Sequence, residues 1–195
     1  MEDKYCIVLM NNDLSYLNNR LRKSLGELIF PSKTPPHITL KESFFTDSID
    51  NLIDNLKKET LNFNSIKTYS SGYSIFDNKY VVLNIQNSEA LQKLHETTMN
   101  VSQKHLGKVK PFYNPIGYLN ERQKELLSHF NNPFCFEFYN PHSSIGKLED
   151  ISDLGLVKEK LNFIELYRPL VFNSVHIIDK ENEKIYDSFS FCNNS

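Results

Sequence analysis

Residues 37–40 read His-Ile-Thr-Leu and residues 142–145 read His-Ser-Ser-Ile, so a histidine, any residue, a hydroxyl residue and an apolar residue occur in this order twice. Pro-Pro precedes the first copy (motif 1) and Asn-Pro precedes the second (motif 2). Proline keeps the residue before it extended, and residues two apart on a strand share a face. Each motif is therefore predicted to direct an imidazole and a hydroxyl to the same side of a strand.

The surroundings of the two motifs repeat in the same order. Each motif is followed by a predicted helix, then by Phe-Asn-Ser and a β-branched residue, at 63–66 and at 172–175, and then by a predicted hairpin. This order predicts a duplication covering approximately residues 37–85 and 142–191. Two copies that pack with pseudo-twofold symmetry would bring the motifs to one cleft.

Hydrophobic periodicity and cap residues predict the other elements of the chain. The predicted strands cover residues 5–10, 37–45, 66–76, 80–85 and 134–139, with a turn at Asp77-Asn78. The predicted helices cover residues 14–28, 48–59, 88–106, 121–130 and 150–167.

Two imidazoles that face one another across a cleft suit the cleavage of a phosphodiester. A neutral ring takes a proton from the attacking oxygen, and a protonated ring gives a proton to the leaving oxygen. We predict that His37 and His142 play these two roles, with the order left open. Thr39 and Ser144 would donate hydrogen bonds to the phosphate oxygens, where negative charge grows in the transition state.

The paired motifs and the duplicated order resemble the 2H phosphoesterase superfamily, which includes the 2′-5′ RNA ligases and cyclic nucleotide phosphodiesterases. The resemblance covers most of the chain. It implies a bilobal α+β fold, with antiparallel sheets lining a central cleft, formed by residues 1–195 as one domain. It also implies hydrolysis of 2′,3′-cyclic phosphates or 2′-5′ linkages without a metal or other cofactor, and the cyclic oligonucleotides that some viral relatives hydrolyse are a further possible substrate.

Several residues outside the motifs are candidates for substrate binding. Lys41 and Lys147 follow the motifs at similar offsets and could attract phosphate. Tyr113 and Tyr118 lie in a Pro-rich and Tyr-rich segment and could stack on a nucleobase. Ordinary packing and ordinary surface charge would equally explain these four residues.

Alternative interpretations of the histidines are weaker. The segment His95-Glu96-Thr97-Thr98 nearly matches the motif, but it lies in a predicted helix. Zinc binding would need a third ligand, and none accompanies either motif at a recognisable spacing. A protein that binds nucleotides or RNA without catalysis would keep the same scaffold. The remaining histidines are expected to be structural or exposed: His95, His105, His129 and His176.

Composition limits the class of partner. The net charge is -2 and the isoelectric point is about 6.3, so the chain lacks the excess of Lys and Arg that binding to long nucleic acids requires. We therefore expect a small nucleotide or short RNA as substrate, not duplex DNA or a membrane, and we expect a monomer. The three cysteines are far apart and odd in number, which is typical of free thiols in a cytoplasmic protein.

Overall fold

The computed structural model describes residues 4–107 and 118–192, and these ranges contain nine strands and five α-helices. The strands are β1 (Lys4–Leu9), β2 (Ile29–Pro31), β3 (Ile38–Phe45), β4 (Ile66–Phe76), β5 (Tyr80–Ile85), β6 (His142–Leu148), β7 (Tyr167–Phe172), β8 (Ser174–Asp179) and β9 (Lys184–Ser190). The helices are α1 (Asn12–Leu25), α2 (Ile49–Thr60), α3 (Glu89–Gln103), α4 (Glu121–Phe130) and α5 (Leu154–Asn162).

Three of the five helices, α1, α3 and α4, begin where a side chain satisfies a free backbone N–H group. The Asn11 side chain accepts a hydrogen bond from the first turn of α1, and Ser88 does the same for α3. Asn120 and Gln123 form a complete capping box at the start of α4. The predicted helix over residues 121–130 is confirmed.

The strands form two antiparallel sheets. Sheet A has the order β3-β1-β8-β9, and sheet B has the order β2-β6-β5-β4-β7. Motif 1 leads into β3 at one edge of sheet A, and motif 2 opens β6 in sheet B. The predicted α+β fold class, with two antiparallel sheets, is confirmed.

The predicted hairpin of β4 and β5 is also present. Asp77 and Asn78 have φ angles of 50° and 55°, so both central residues of the turn that the Lys79 N–H closes on the Phe76 carbonyl oxygen are left-handed, as a type I′ turn requires. Asn and Asp tolerate this conformation better than most residues, so the turn lies where the sequence predicts it.

The hairpins after the two motifs do not occupy equivalent places. β5 lies inside sheet B beside β6, whereas β9 forms the outer edge of sheet A. By position in the sheets, β1-α1-β3 corresponds to β5-α3-β6, because each of these segments starts with the strand that pairs with a motif strand. The helices are exchanged between sheets, since α1 contacts β6 and α3 contacts β3.

Two segment predictions are wrong. Residues 134–139 are not a strand, because Phe136 has a φ of 53° and its N–H bonds to a side chain, and residues 136–138 form a 3₁₀ turn. The helix predicted over residues 150–167 is shorter, because α5 ends at Asn162 and the chain then enters β7.

Two further features concern the cysteines and the length of the helices. Cys6 and Cys135 are free thiols, and both are buried. None of the helices within residues 4–107 and 118–192 combines the length and the apolar character needed to cross a bilayer.

Candidate active site

The two motif histidines are held in the same way. His37 Nδ1 lies 2.6 Å from the Pro35 carbonyl oxygen, and His142 Nδ1 lies 2.8 Å from that of Asn140. A carbonyl oxygen only accepts hydrogen bonds, so Nδ1 carries the hydrogen in each ring. When the ring is neutral, Nε2 then keeps a free lone pair. Both imidazoles are thus oriented to exchange protons through Nε2.

Motif 1 contains a β-bulge directly after its hydroxyl residue. Thr39 pairs with Val8 on β1, but the next pair along is Lys41 with Ile7, so Leu40 is an extra residue in the strand. A bulge reverses the alternation of side chains beyond it. Thr39 consequently faces the space between the sheets, while Lys41 faces away from it.

Motif 2 contains the same bulge at the same place. Ser144 pairs with Val82 on β5, and Gly146 pairs with Val81, so Ile145 is the extra residue. Gly146 also lies against β2, where an added Cβ would come within 2.6 Å of the Phe30 carbonyl oxygen. A side chain at position 146 would therefore force the two strands apart.

A cleft of about 1300 Å³ lies between the motif strands. Thr39 lines it from β3, and His142 and Ser144 line it from β6. His37 is not among the lining residues, but it is near enough to His142 for the charge on that ring to lower the His37 pKa. The structure therefore brings three of the four predicted residues to the cleft wall, with the fourth beside them. The other lining residues are Leu40, Glu42, Ile75, Phe76, Asp77, Tyr80, Val82, His95, Tyr118, Gln123, Asn132, Phe134, Phe138, Tyr139 and Asn140.

The surroundings of the two imidazoles differ. Burial is the main cause of a lowered His37 pKa, and the positive charges of Lys180 and Arg22 act in the same direction. The hydrogen bond to the Pro35 carbonyl opposes these effects. His142 instead meets the edge of the Phe76 ring, with 5.0 Å between the ring centroids. The environment of His37 thus favours the neutral ring.

Lys41 does not occupy the predicted substrate-binding position. Its side chain has no exposed surface, and its Nζ donates to the Phe130 carbonyl oxygen, at the end of α4, over 2.7 Å. Burial lowers its pKa to about 8. The prediction assumed uninterrupted alternation along the strand, and the bulge at Leu40 makes that assumption wrong.

Lys147 is exposed and pairs with Tyr80 across β5 and β6. Directly opposed residues of an antiparallel pair project from the same face, and Tyr80 lines the cleft, so Lys147 lies at the rim of that face. Counted from the histidines, the residue of motif 1 that matches Lys147 is Glu42, and the match of Lys41 is Gly146.

The two predicted tyrosines have different outcomes. Tyr118 lines the cleft and is 60% exposed. Tyr113 lies outside the described residues.

Sequence reasoning missed two α1 side chains that donate hydrogen bonds to motif 2. Arg22 on α1 donates from Nε to the Ile145 carbonyl oxygen at 3.0 Å, and from a terminal nitrogen to that of Ser144 at 3.4 Å. Asn18, one turn earlier, donates to the Ser143 hydroxyl at 2.9 Å. These contacts span more than 120 residues, so no local pattern indicates them. The carbonyls that hold the histidines are indicated by the sequence, because each one belongs to the residue before the Pro that precedes the motif histidine.

Within residues 4–107 and 118–192, no three His, Cys, Asp or Glu side chains are arranged to hold a metal ion. The predicted site combines two imidazoles and two hydroxyls with the acidic, amide and aromatic side chains of the cleft wall.

Comparison with known proteins identifies the family of the chain. Three solved structures are similar in fold, each covering 98% of this chain and 99% of the other: Escherichia coli LigT complexed with NADP+ (TM-score 0.60, 10% identity), the same protein complexed with 3′-AMP (0.59, 9%) and a protein described as a phosphoesterase (0.58, 9%). A search of curated sequences found no significant match. The family model of the 2′-5′ RNA ligase superfamily matches residues 19–183. The predicted resemblance to the 2H phosphoesterases is thus confirmed, and the chain belongs to the 2′-5′ RNA ligase superfamily.

Proposed function

We propose that the whole chain forms one bilobal domain that hydrolyses a small nucleotide or RNA-end phosphodiester without a metal ion. The observation that carries this proposal is the matched pair of imidazoles, each with Nδ1 bonded to a carbonyl and Nε2 available for proton transfer. Membership of the superfamily supports activity on phosphodiesters. The complex of LigT with 3′-AMP supports a ligand of nucleotide size.

In the proposed mechanism His37 is the general base and His142 is the general acid. His37 is half-buried near two cations, an environment that favours the neutral ring, which accepts a proton. His142 opens onto the cleft, where it meets the leaving oxygen. Thr39 and Ser144 donate hydrogen bonds to the non-bridging oxygens as negative charge builds on them.

The proton and bond changes balance over one turnover. The water oxygen forms a bond to phosphorus while its proton passes to His37, and one ester P–O bond breaks. The leaving oxygen takes the proton that His142 held. The two rings have then exchanged protonation states, and exchange with solvent restores them.

A substrate panel tests the proposal. The protein is incubated in EDTA with a 2′,3′-cyclic mononucleotide, a 2′-5′ linked dinucleotide and a cyclic dinucleotide, and the products are identified by mass spectrometry. We expect turnover of at least one substrate by the wild type, with loss in the His37→Ala and His142→Ala variants. Ligand binding without turnover in the wild type would instead support the non-catalytic binding protein.

A further inference from the structure

The bulge of motif 1 leaves two backbone carbonyls that are bonded by side chains from other parts of the chain. The Tyr139 hydroxyl donates to the Thr39 carbonyl oxygen at 3.0 Å. His95 on α3 donates from Nδ1 to the Leu40 carbonyl oxygen at 2.7 Å. Leu40 is the extra residue of the bulge, so these two bonds lie at the point where the strand departs from regular pairing.

The two side chains form one unit. The rings of His95 and Tyr139 stack with 3.7 Å between centroids and 1° between planes. His95 Nε2 accepts a hydrogen bond from the Phe136 N–H at 3.1 Å, so both ring nitrogens are used and the ring is a neutral tautomer. Burial keeps it neutral by lowering its pKa to about 4.

This pair of rings is also connected to the segment that precedes motif 2. Phe136 and Tyr139 lie in the segment that leads directly into His142, and Asn140, the residue after Tyr139, holds the His142 ring through its carbonyl. Tyr139, three positions before His142, and His95 on α3 are thereby bonded to the backbone around Thr39. A shift of one motif must move or break these contacts to the other.

We propose that His95 and Tyr139 are positioning residues that set the placement of the Thr39 hydroxyl and the His37 ring relative to His142. The inference rests on the proposed function, because this positioning serves a reaction that uses both histidines. Both rings line the cleft, but their polar atoms are occupied by the contacts above, so they act through the backbone of the motifs. Misplacing reacting groups by about 1 Å can cost on the order of 10²-fold in rate.

Tyr139→Phe tests the inference because it keeps the stacked ring and removes only the bond to the Thr39 carbonyl. We expect kcat to fall about tenfold while KM stays within twofold and the protein stays folded. Tyr73→Phe is the matched control, since it also removes one hydroxyl contact, to Asn162 at 3.2 Å, and lies on β4, which pairs with β5 and β7 and not with the motif strands. A kcat for Tyr139→Phe within twofold of that control overturns the inference.

Variants of His95 provide a second test that tolerates partial unfolding. His95→Asn places an amide N–H where Nδ1 lies and can keep the bond to the Leu40 carbonyl, whereas His95→Leu loses both bonds. At equal folded fraction, we expect His95→Asn to retain at least threefold more kcat than His95→Leu. Equal activity of the two variants contradicts a positioning role.

NMR of histidine labelled with ¹³C and ¹⁵N separates this inference from the proposed function. We expect the His37 and His142 ring signals to shift in Tyr139→Phe and to stay unchanged in Tyr73→Phe, whether or not a substrate is known. Absence of turnover in the wild type would reject the proposed function alone. Unchanged ring signals in Tyr139→Phe would reject the positioning role alone.

Discussion

Motif 1 and motif 2 share a backbone design but differ in their electrostatic surroundings. Both hold a histidine by a carbonyl two residues earlier, and both bulge at the apolar fourth position. In motif 1 the carbonyls around the bulge accept from the neutral His95 and Tyr139, whereas in motif 2 they accept from the cation Arg22. The geometry is therefore duplicated, while the charge environment has diverged, and this favours different roles for the two histidines.

Removing either imidazole should have the largest effect. We expect His37→Ala and His142→Ala each to lower kcat/KM by about 10²- to 10⁴-fold, because a positioned proton-transfer group supplies an acceleration of that order. Steady-state kinetics in EDTA checks this. His129→Ala is the control, since His129 is an exposed residue on α4 and does not line the cleft. If either alanine variant retained a tenth of the wild-type activity, the proposed proton-transfer role of that histidine would be refuted.

A substrate with a good leaving group should separate the two histidines. A nucleoside p-nitrophenyl phosphate releases an anion that needs little protonation, so His142→Ala should lose less than about tenfold on it. His37→Ala should still lose at least about 10²-fold, because the base remains necessary. Stopped assays of released nitrophenolate give both values. The reverse pattern would exchange the acid and base assignments.

Sequence alone predicted the parts of this comparison that depend on local patterns. The places of Thr39, His142 and Ser144 on the cleft wall follow from the alternation of side chains on a strand. The bulges at Leu40 and Ile145 do not, because pairing with β1 and β5 decides where an extra residue is accommodated. Alternation therefore misplaced Lys41.

Side-chain contacts between distant segments were also beyond the reach of local patterns. His95 was correctly expected to be structural, but its bond to Leu40 joins residues 55 positions apart. Lys180 reaches the neighbourhood of His37 from the turn between β8 and β9. The strand predicted over residues 134–139 failed for the same reason, since the Phe136 N–H bonds to the His95 ring rather than to a neighbouring strand.

Acid should weaken the hydrogen bonds that His95 makes around motif 1, because the His95 ring can take up a proton. The hydrogen bonds from Arg22 to motif 2 should be unaffected, because Arg22 stays protonated. Burial lowers the His95 pKa from 6.5 to about 4, so between these values the unfolded state binds more protons than the native state. The free energy of unfolding should therefore be highest above pH 6.5 and fall towards pH 4, with a His95 contribution of about 3 kcal/mol. Urea denaturation at pH 7 and pH 4.5 measures the loss.

His95→Asn is the comparison that isolates this contribution. His37 and His176 also have a lowered pKa and act in the same direction, so the wild-type loss alone does not identify His95. We expect the loss of stability between the two pH values to be smaller in the variant by roughly 2 kcal/mol. An equal loss in both proteins would show that the His95 ring does not titrate in this range.

The smallest expected effect is on KM, and it should differ between the two lysines that follow the motifs. Lys147→Met removes a charge at the cleft rim, so we expect KM for an anionic substrate to rise about two- to threefold at low salt, with the difference shrinking as salt screens the charge. Lys41→Met should leave KM unchanged, because the Lys41 ammonium is buried against the Phe130 carbonyl and cannot contact substrate. Steady-state KM values at two ionic strengths decide between these outcomes. A rise in KM in Lys41→Met but not in Lys147→Met would mean that the Lys41 side chain faces the cleft. That result would contradict the bulge at Leu40.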